Sequence, residues 1–185
     1  MTEEYELLSK LKEVLGVHSR VAIVCVGKDL RGDDAVGPYT CRELLKKGLK
    51  NVVVCEDDII TCFYETITNY KPLTIILIDA VDLSLKPGTI VITSLEDIEE
   101  VGMSTSTHNL PIRTVVELIK TLVGVDLKIL VIGIQASNLD LTQQISDEVI
   151  KSANTIVKTL TTLTEGLNSR WSTTHKTTTN RADNT

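Results

Sequence analysis

Three residues of this 185-residue chain join reactive side chains to positions where chemistry can occur: Asp34, Asp79 and His108. Two carboxylates and one imidazole are a donor set suited to a divalent first-row cation, with coordination positions left for water or substrate. Asp34 belongs to the loop GKDLRGDDAVG, residues 27–37, whose three glycines recur at intervals of five and are expected to loosen it. Asp79 closes the apolar run 73–78, where burial is costly unless a cation or hydrogen-bond donors face the carboxylate. His108 stands in STSTHN just before a helical pattern, and a helix N-terminus disfavours imidazolium, which leaves a neutral ring with a lone pair for a metal. Each residue also has a plainer reading. Asp33 or Asp34 can cap the helix that follows, Asp79 can bond loop backbone, and a lone histidine is usually structural or solvated. His18, at a turn, and His175, near the chain end, do not compete with His108.

Other chemistries fit less well. A dinucleotide fingerprint needs GxGxxG, and Cys25, Gly27 and Leu30 occupy the corresponding positions. A phosphate-binding loop needs a terminal Gly-Lys-Ser/Thr, and the acidic pair here would repel a triphosphate. No nucleophile elbow surrounds a serine, and the cysteines nearest the acidic loop, Cys25 and Cys41, lie within a strand and a helix, so covalent catalysis is disfavoured.

Ligands of open α/β sheets bind beyond the carboxyl ends of central strands, so the elements before these residues must be strands of one sheet. Residues 20–26 (RVAIVCV), 51–56 (NVVVCE), 73–79 (LTIILID), 89–93 (TIVIT) and 127–134 (LKILVIGI) read as five strands. The first lacks face alternation, as expected of a strand buried on both sides of a parallel sheet. The fourth follows the third after too short a connection for a parallel crossover, so it should run antiparallel. Helices are expected at 3–15, closed by Gly16, from Pro38 to about Lys47, at 61–70, from Asn109 and Pro111 to about Gly124, and after Ser146, which should cap the last of them. The fold class is α/β, a three-layer α/β/α sandwich around a mostly parallel five-stranded sheet with one antiparallel strand.

Composition narrows the class further. Hydrophobic residues make up 42% of the chain, enough for one core at this length, while aromatic residues are only 3%, too few for a base-stacking platform. A net charge of −6 argues against nucleic acid as a partner. No apolar run is long enough to span a bilayer, and the acidic start MTEEYELLSK does not resemble a signal peptide, so the expectation is a cytoplasmic protein with no membrane partner. Cys25, Cys41, Cys55 and Cys62 show no CxxC spacing and are expected to be free buried thiols. One domain is expected over 1–165, with the N-terminal helix at 3–15 and the core at 20–163. From residue 166 the chain turns Ser/Thr-rich and reads as a disordered tail.

The segments GKDLRGDDAVGP (27–38), IILIDAV (75–81), STHNLP (106–111) and IGIQ (132–135) together resemble the nickel-iron hydrogenase maturation proteases, of the type that serves the hydrogenase 3 large subunit. The resemblance runs in order from about residue 20 to 163. It implies an endopeptidase that removes a C-terminal peptide from the nickel-loaded large-subunit precursor of a hydrogenase. It further implies that Asp34, Asp79 and His108 are the metal-binding and catalytic residues and that the nickel is carried by the precursor; the protein itself is expected to be a monomer. Lys28, Ala35 and Ala136 depart from the Asn, Gly and Pro usual in the family. Two mechanisms fit. Either the metal polarises the scissile carbonyl or a water, or it only docks the precursor while Asp33 or Asp34 assists water. A reading of another class is a maturation chaperone that binds the metal centre without cutting.

Overall fold

The computed structural model describes residues 3–15, 20–56, 58–98, 112–142 and 144–176. In chain order the elements are α1 (Glu3–Leu15), β1 (Val21–Val26), a 3-10 turn (Gly32–Ala35), α2 (Val36–Lys46), β2 (Val52–Cys55), α3 (Ile59–Tyr70), β3 (Thr74–Val81), β4 (Ile90–Ser94), α4 (Ile112–Val123), β5 (Lys128–Gln135) and α5 (Asp147–Lys176). The five strands form one sheet in the order β2-β1-β3-β5-β4, with β4 alone antiparallel, against β5. The short β3 to β4 connection dictates that direction, as the spacing predicts.

Strand periodicity of two divides the apolar residues between two layers. Ile76, Ile78 and Ala80 of β3 face α1, α2 and α5, where Leu7, Leu11, Leu44, Val149 and Ile156 complete one core. Ile75, Leu77 and Val81 face α3 and α4, where Phe63, Ile67, Val115 and Ile119 complete the other. Every residue of β3 is buried, which explains why the central strands carry no polar face. Asp79 shares the parity of Ile75, Leu77 and Val81, and it is the acidic residue of that strand.

The expectation of free thiols is overturned. Cys25 of β1 is bonded to Cys41 of α2, and Cys55 of β2 to Cys62 in the first turn of α3. Each pair joins a strand to the helix that follows it, and packing brings the Cα atoms to 5.9 and 6.0 Å, within disulfide reach. Spacing along the chain did not show this, because the partners become neighbours only when each helix folds back onto the sheet. Among the described residues, no helix is long and apolar enough to cross a membrane.

α5 runs as a helix to Lys176, across the boundary expected at 166, and residues 177–185 lie outside the described residues. Val149, Ala153, Ile156, Val157, Leu160 and Leu163 are its buried apolar residues among those whose burial is described. The threonines of its middle section, Thr159, Thr161, Thr162 and Thr164, return their hydroxyls to carbonyls one turn earlier, which lets a Thr-rich stretch remain helical.

Candidate active site

The loop after β1 is tight where a loose one was expected. Gly27 has φ +146°, and a Cβ there would run into the carbonyl of Asp34. A Cβ on Gly37 would strike the carbonyl of Val26 and crowd that of Ile78, so this glycine lets α2 begin directly against the carboxyl ends of β1 and β3. Gly32 has φ +55° and lies against the carbonyl of Asn138. The glycines at intervals of five are thus three points of close backbone approach, and they bring the 3-10 turn onto the end of β3.

The two adjacent carboxylates of that turn have separate tasks. Asp33 and Asp34 are both fully buried, and neither caps α2, whose first turn has no side-chain cap. Asp33 Oδ2 accepts from the backbone N–H groups of Ser137 and Asn138 at 2.6 and 2.8 Å, and Oδ1 accepts from that of Ser146 at 2.6 Å. The Ser146 hydroxyl also donates to Asp33 Oδ2, at 3.0 Å. The acidic cap therefore serves the loop after β5 and the start of α5, distant in sequence. Asp34 Oδ2 instead accepts the backbone N–H of Lys28, at 3.1 Å.

Asp79 is 3% exposed, and among the described residues its Oδ1 has no hydrogen-bond partner. Burial pushes its carboxyl well above the usual carboxylate range, and the neighbouring charge of Asp34 pushes it further; the N–H of Ala80 offsets only part of this. A buried carboxylate in this condition is a cost to the fold that a cation would relieve. The plainer reading of Asp79, a carboxylate satisfied by loop backbone, leaves Oδ1 unexplained, and the backbone donor it does have, Ala80, belongs to β3 itself.

Two of the three predicted site residues, Asp34 and Asp79, are thus both buried and within electrostatic reach of one another. His108 lies outside the described residues. The described residues contain no group of three or more metal-ligating side chains. Bound between Asp34 and Asp79, a divalent cation would find hard oxygen ligands and a dry surrounding, and it would need further donors from a histidine or the substrate.

Two supporting residues were not singled out from the sequence. Gln135 ends β5, is 3% exposed, and accepts the backbone N–H groups of Leu83 and Leu85 on Oε1 at 2.8 and 3.2 Å. Its amide nitrogen donates to Ala136 O at 2.9 Å and to Asp82 Oδ1 at 3.3 Å, so one side chain fixes the loop that follows Asp79. A polar residue ending a fully apolar strand was the available signal, since burial there requires every lone pair to be used. Arg42 of α2 grips Asp29 with both terminal nitrogens, at 2.8 and 2.7 Å, and also bonds Glu56 beyond β2. This holds the residue next to Lys28, whose N–H orients Asp34.

Known proteins share this arrangement of chain. A family profile described as hydrogenase maturation protease matches residues 60–163. The hydrogenase 3 maturation protease of Escherichia coli K12 is 31% identical over 69% of this chain and 82% of its own length. A crystal structure of a NiFe hydrogenase maturation protease, HycI, from Thermococcus kodakarensis superposes with a TM-score of 0.69 at 26% identity, covering 82% of this chain and 96% of that one. HybD, a second NiFe hydrogenase maturation protease of that organism, gives 0.60 at 30% identity, covering 78% and 98%.

Proposed function

Because the chain belongs to the hydrogenase maturation protease family and is therefore a peptide hydrolase, we propose that it removes a C-terminal peptide from the large-subunit precursor of a nickel-iron hydrogenase once nickel is in place. The observation that carries the reading is the buried pair Asp34 and Asp79, with Oδ1 of Asp79 unpartnered and its carboxyl raised by burial and, further, by the charge of Asp34. Such a pair rejects a metal-free acidic segment and accepts one that presents a cation, so nickel in the precursor acts as the recognised part of the substrate.

In this mechanism Asp34, oriented by the Lys28 N–H, and Asp79, fixed at the end of β3, hold the precursor by its nickel. His108 supplies the nitrogen donor. Its place in the chain supports that role: α4 leads into the amino end of β5, so its first turn, just downstream of His108, points back toward the carboxyl edge of the sheet. Nickel so held polarises the carbonyl next to it, or a water. Asp33 is committed to the loop after β5 by its hydrogen bonds, so the assisting carboxylate is Asp34 or Asp79. Both cysteines nearest the loop, Cys25 and Cys41, are disulfide-bonded, so neither offers a free thiol for an acyl intermediate.

The test is a mass measurement on a purified nickel-loaded precursor incubated with the protein. Loss of a C-terminal fragment with the wild type, and none with Asp79→Asn or His108→Ala, is the expected result. Binding of the precursor without any change in mass would overturn the hydrolytic reading.

A further inference from the structure

Each of the three adjacent strands β1, β3 and β5 is followed at its carboxyl end by a loop that exposes one leucine. Leu30 is 60% exposed, Leu85 44% and Leu141 90%. Large apolar side chains held in water at one end of a sheet are a liability unless something covers them. These three are not on slack loops. Arg31 and Asp34 close the first loop with backbone bonds to Lys28 and Arg31, at 3.2 and 3.1 Å. Gln135 takes the N–H of Leu85 itself. The third loop is tied to the first where Gly32 N–H meets Thr142 O at 2.7 Å and Asp33 N–H meets Asn138 O at 2.8 Å, and Asn138 caps Asp140 beside Leu141. The backbone that presents the leucines is thus ordered in advance, which lowers the entropy cost of any contact they make.

Resting on the reading that a polypeptide is cut at Asp34 and Asp79, we propose that Leu30, Leu85 and Leu141 form the docking rim for apolar residues of the substrate chain next to the scissile bond. The occupant follows from position. The leucines sit on the loops that leave the same strand ends as the buried carboxylates, so a chain that reaches Asp34 and Asp79 crosses this rim. A second copy of the protein seated there would close the edge to a substrate. Leu118 and Leu122, also exposed, lie on α4 and belong to a helix face, not to this edge. Carboxylates recognise the metal-bearing part of the precursor, and the leucines add affinity for the segment beside it.

The experiment replaces all three leucines by serine in the full chain and measures cleavage of the nickel-loaded precursor, precursor binding by calorimetry, sedimentation and melting. The exposed sites leave folding intact, so the melting temperature should not fall. The expected result is a KM raised about tenfold or more with kcat within about twofold, since each covered leucine contributes to binding the chain and none to the reacting atoms. KM and precursor affinity within about twofold of wild type would overturn the proposal. So would a wild-type dimer that the variant turns into a monomer, because the leucines would then cover a second copy. If the wild type binds the precursor without cutting it, the hydrolytic reading fails by itself, and the calorimetric comparison still decides whether the leucines dock it.

Discussion

Asp33 and Asp34 are adjacent and equally buried, yet Asp33 is surrounded by donors from Ser137, Asn138 and Ser146, while Asp34 lies within electrostatic reach of a second buried carboxylate, Asp79. One aspartate ties together distant loops, and its neighbour faces a second carboxylate. That division separates the part of the loop that builds the site from the part that acts.

Replacing Asp33 by Asn removes the charge that three backbone N–H groups and one hydroxyl share. The expected loss is about 3 kcal/mol, as for a broken buried charged network. In a domain of this length the melting temperature should fall by about 2–4 °C per kcal/mol, which calorimetry reads directly. An unchanged melting temperature would show that the loop after β5 does not depend on Asp33.

Asp79→Asn should act in the opposite direction. Its carboxyl is raised in the folded state above its unfolded value, so the fold binds the proton more tightly than the unfolded chain does. The contribution of Asp79 to the stability of the metal-free protein is then most favourable at low pH and falls as pH rises from the ordinary carboxylate range through the raised value. Asp79→Asn should remove that contribution to the slope above the ordinary carboxylate range and raise the melting temperature at pH 8. A variant that melts lower than wild type at pH 8 would contradict the electrostatic account of the pair.

Gly37→Ala tests the close approach of α2 to the strand ends. The added methyl meets backbone carbonyls of Val26 and Ile78, which cannot rotate away. A cost of about 3 kcal/mol, at the upper end for overpacking, is expected in thermal unfolding, together with weaker cation binding as Asp34 shifts. A neutral substitution would mean that α2 can draw back without disturbing the site.

Most of the architecture was legible because it rests on local rules. Buried parallel strands read as unbroken apolar runs, and the Lys86-Pro87-Gly88 connection is too short for a crossover, so β4 had to reverse. Asp34 and Asp79 were legible because both follow such runs in the chain. What escaped depends on contacts between distant segments. The role of Asp33 requires Ser146 to come alongside it, Gln135 shows its function only when the loop after β3 returns to it, and the disulfides need α2 and α3 folded over the sheet. The glycines at 27, 32 and 37 were visible but misread, because sequence reveals freedom at a glycine and not the carbonyl that presses on it.

The domain should end near residue 165. Leu163 is the last core residue of α5 among those whose burial is described, and the Ser/Thr-rich composition beyond it offers little apolar surface, so a chain truncated after Glu165 is expected to melt within about 2 °C of the full chain and to retain cleavage. A larger loss would show that the later turns of α5 pack on the domain.

The Cys25 to Cys41 bridge closes a stretch of 16 residues around the site loop. Chain-entropy arguments give such a cross-link about 3 kcal/mol. Reduction of the unfolded protein followed by thiol blocking should therefore prevent full recovery of the native melting temperature on refolding. Equal stability of the blocked and oxidised forms would argue against a structural role for the bridges.

The account turns on nickel as the part of the substrate that the two carboxylates recognise. Nickel-loaded and nickel-free large-subunit precursors, incubated in parallel with the protein and resolved by mass spectrometry, test this most directly. Cleavage of the loaded precursor alone, abolished by Asp79→Asn and insensitive to thiol- and serine-directed inhibitors, is the predicted result. Equal cleavage of both precursors would contradict it.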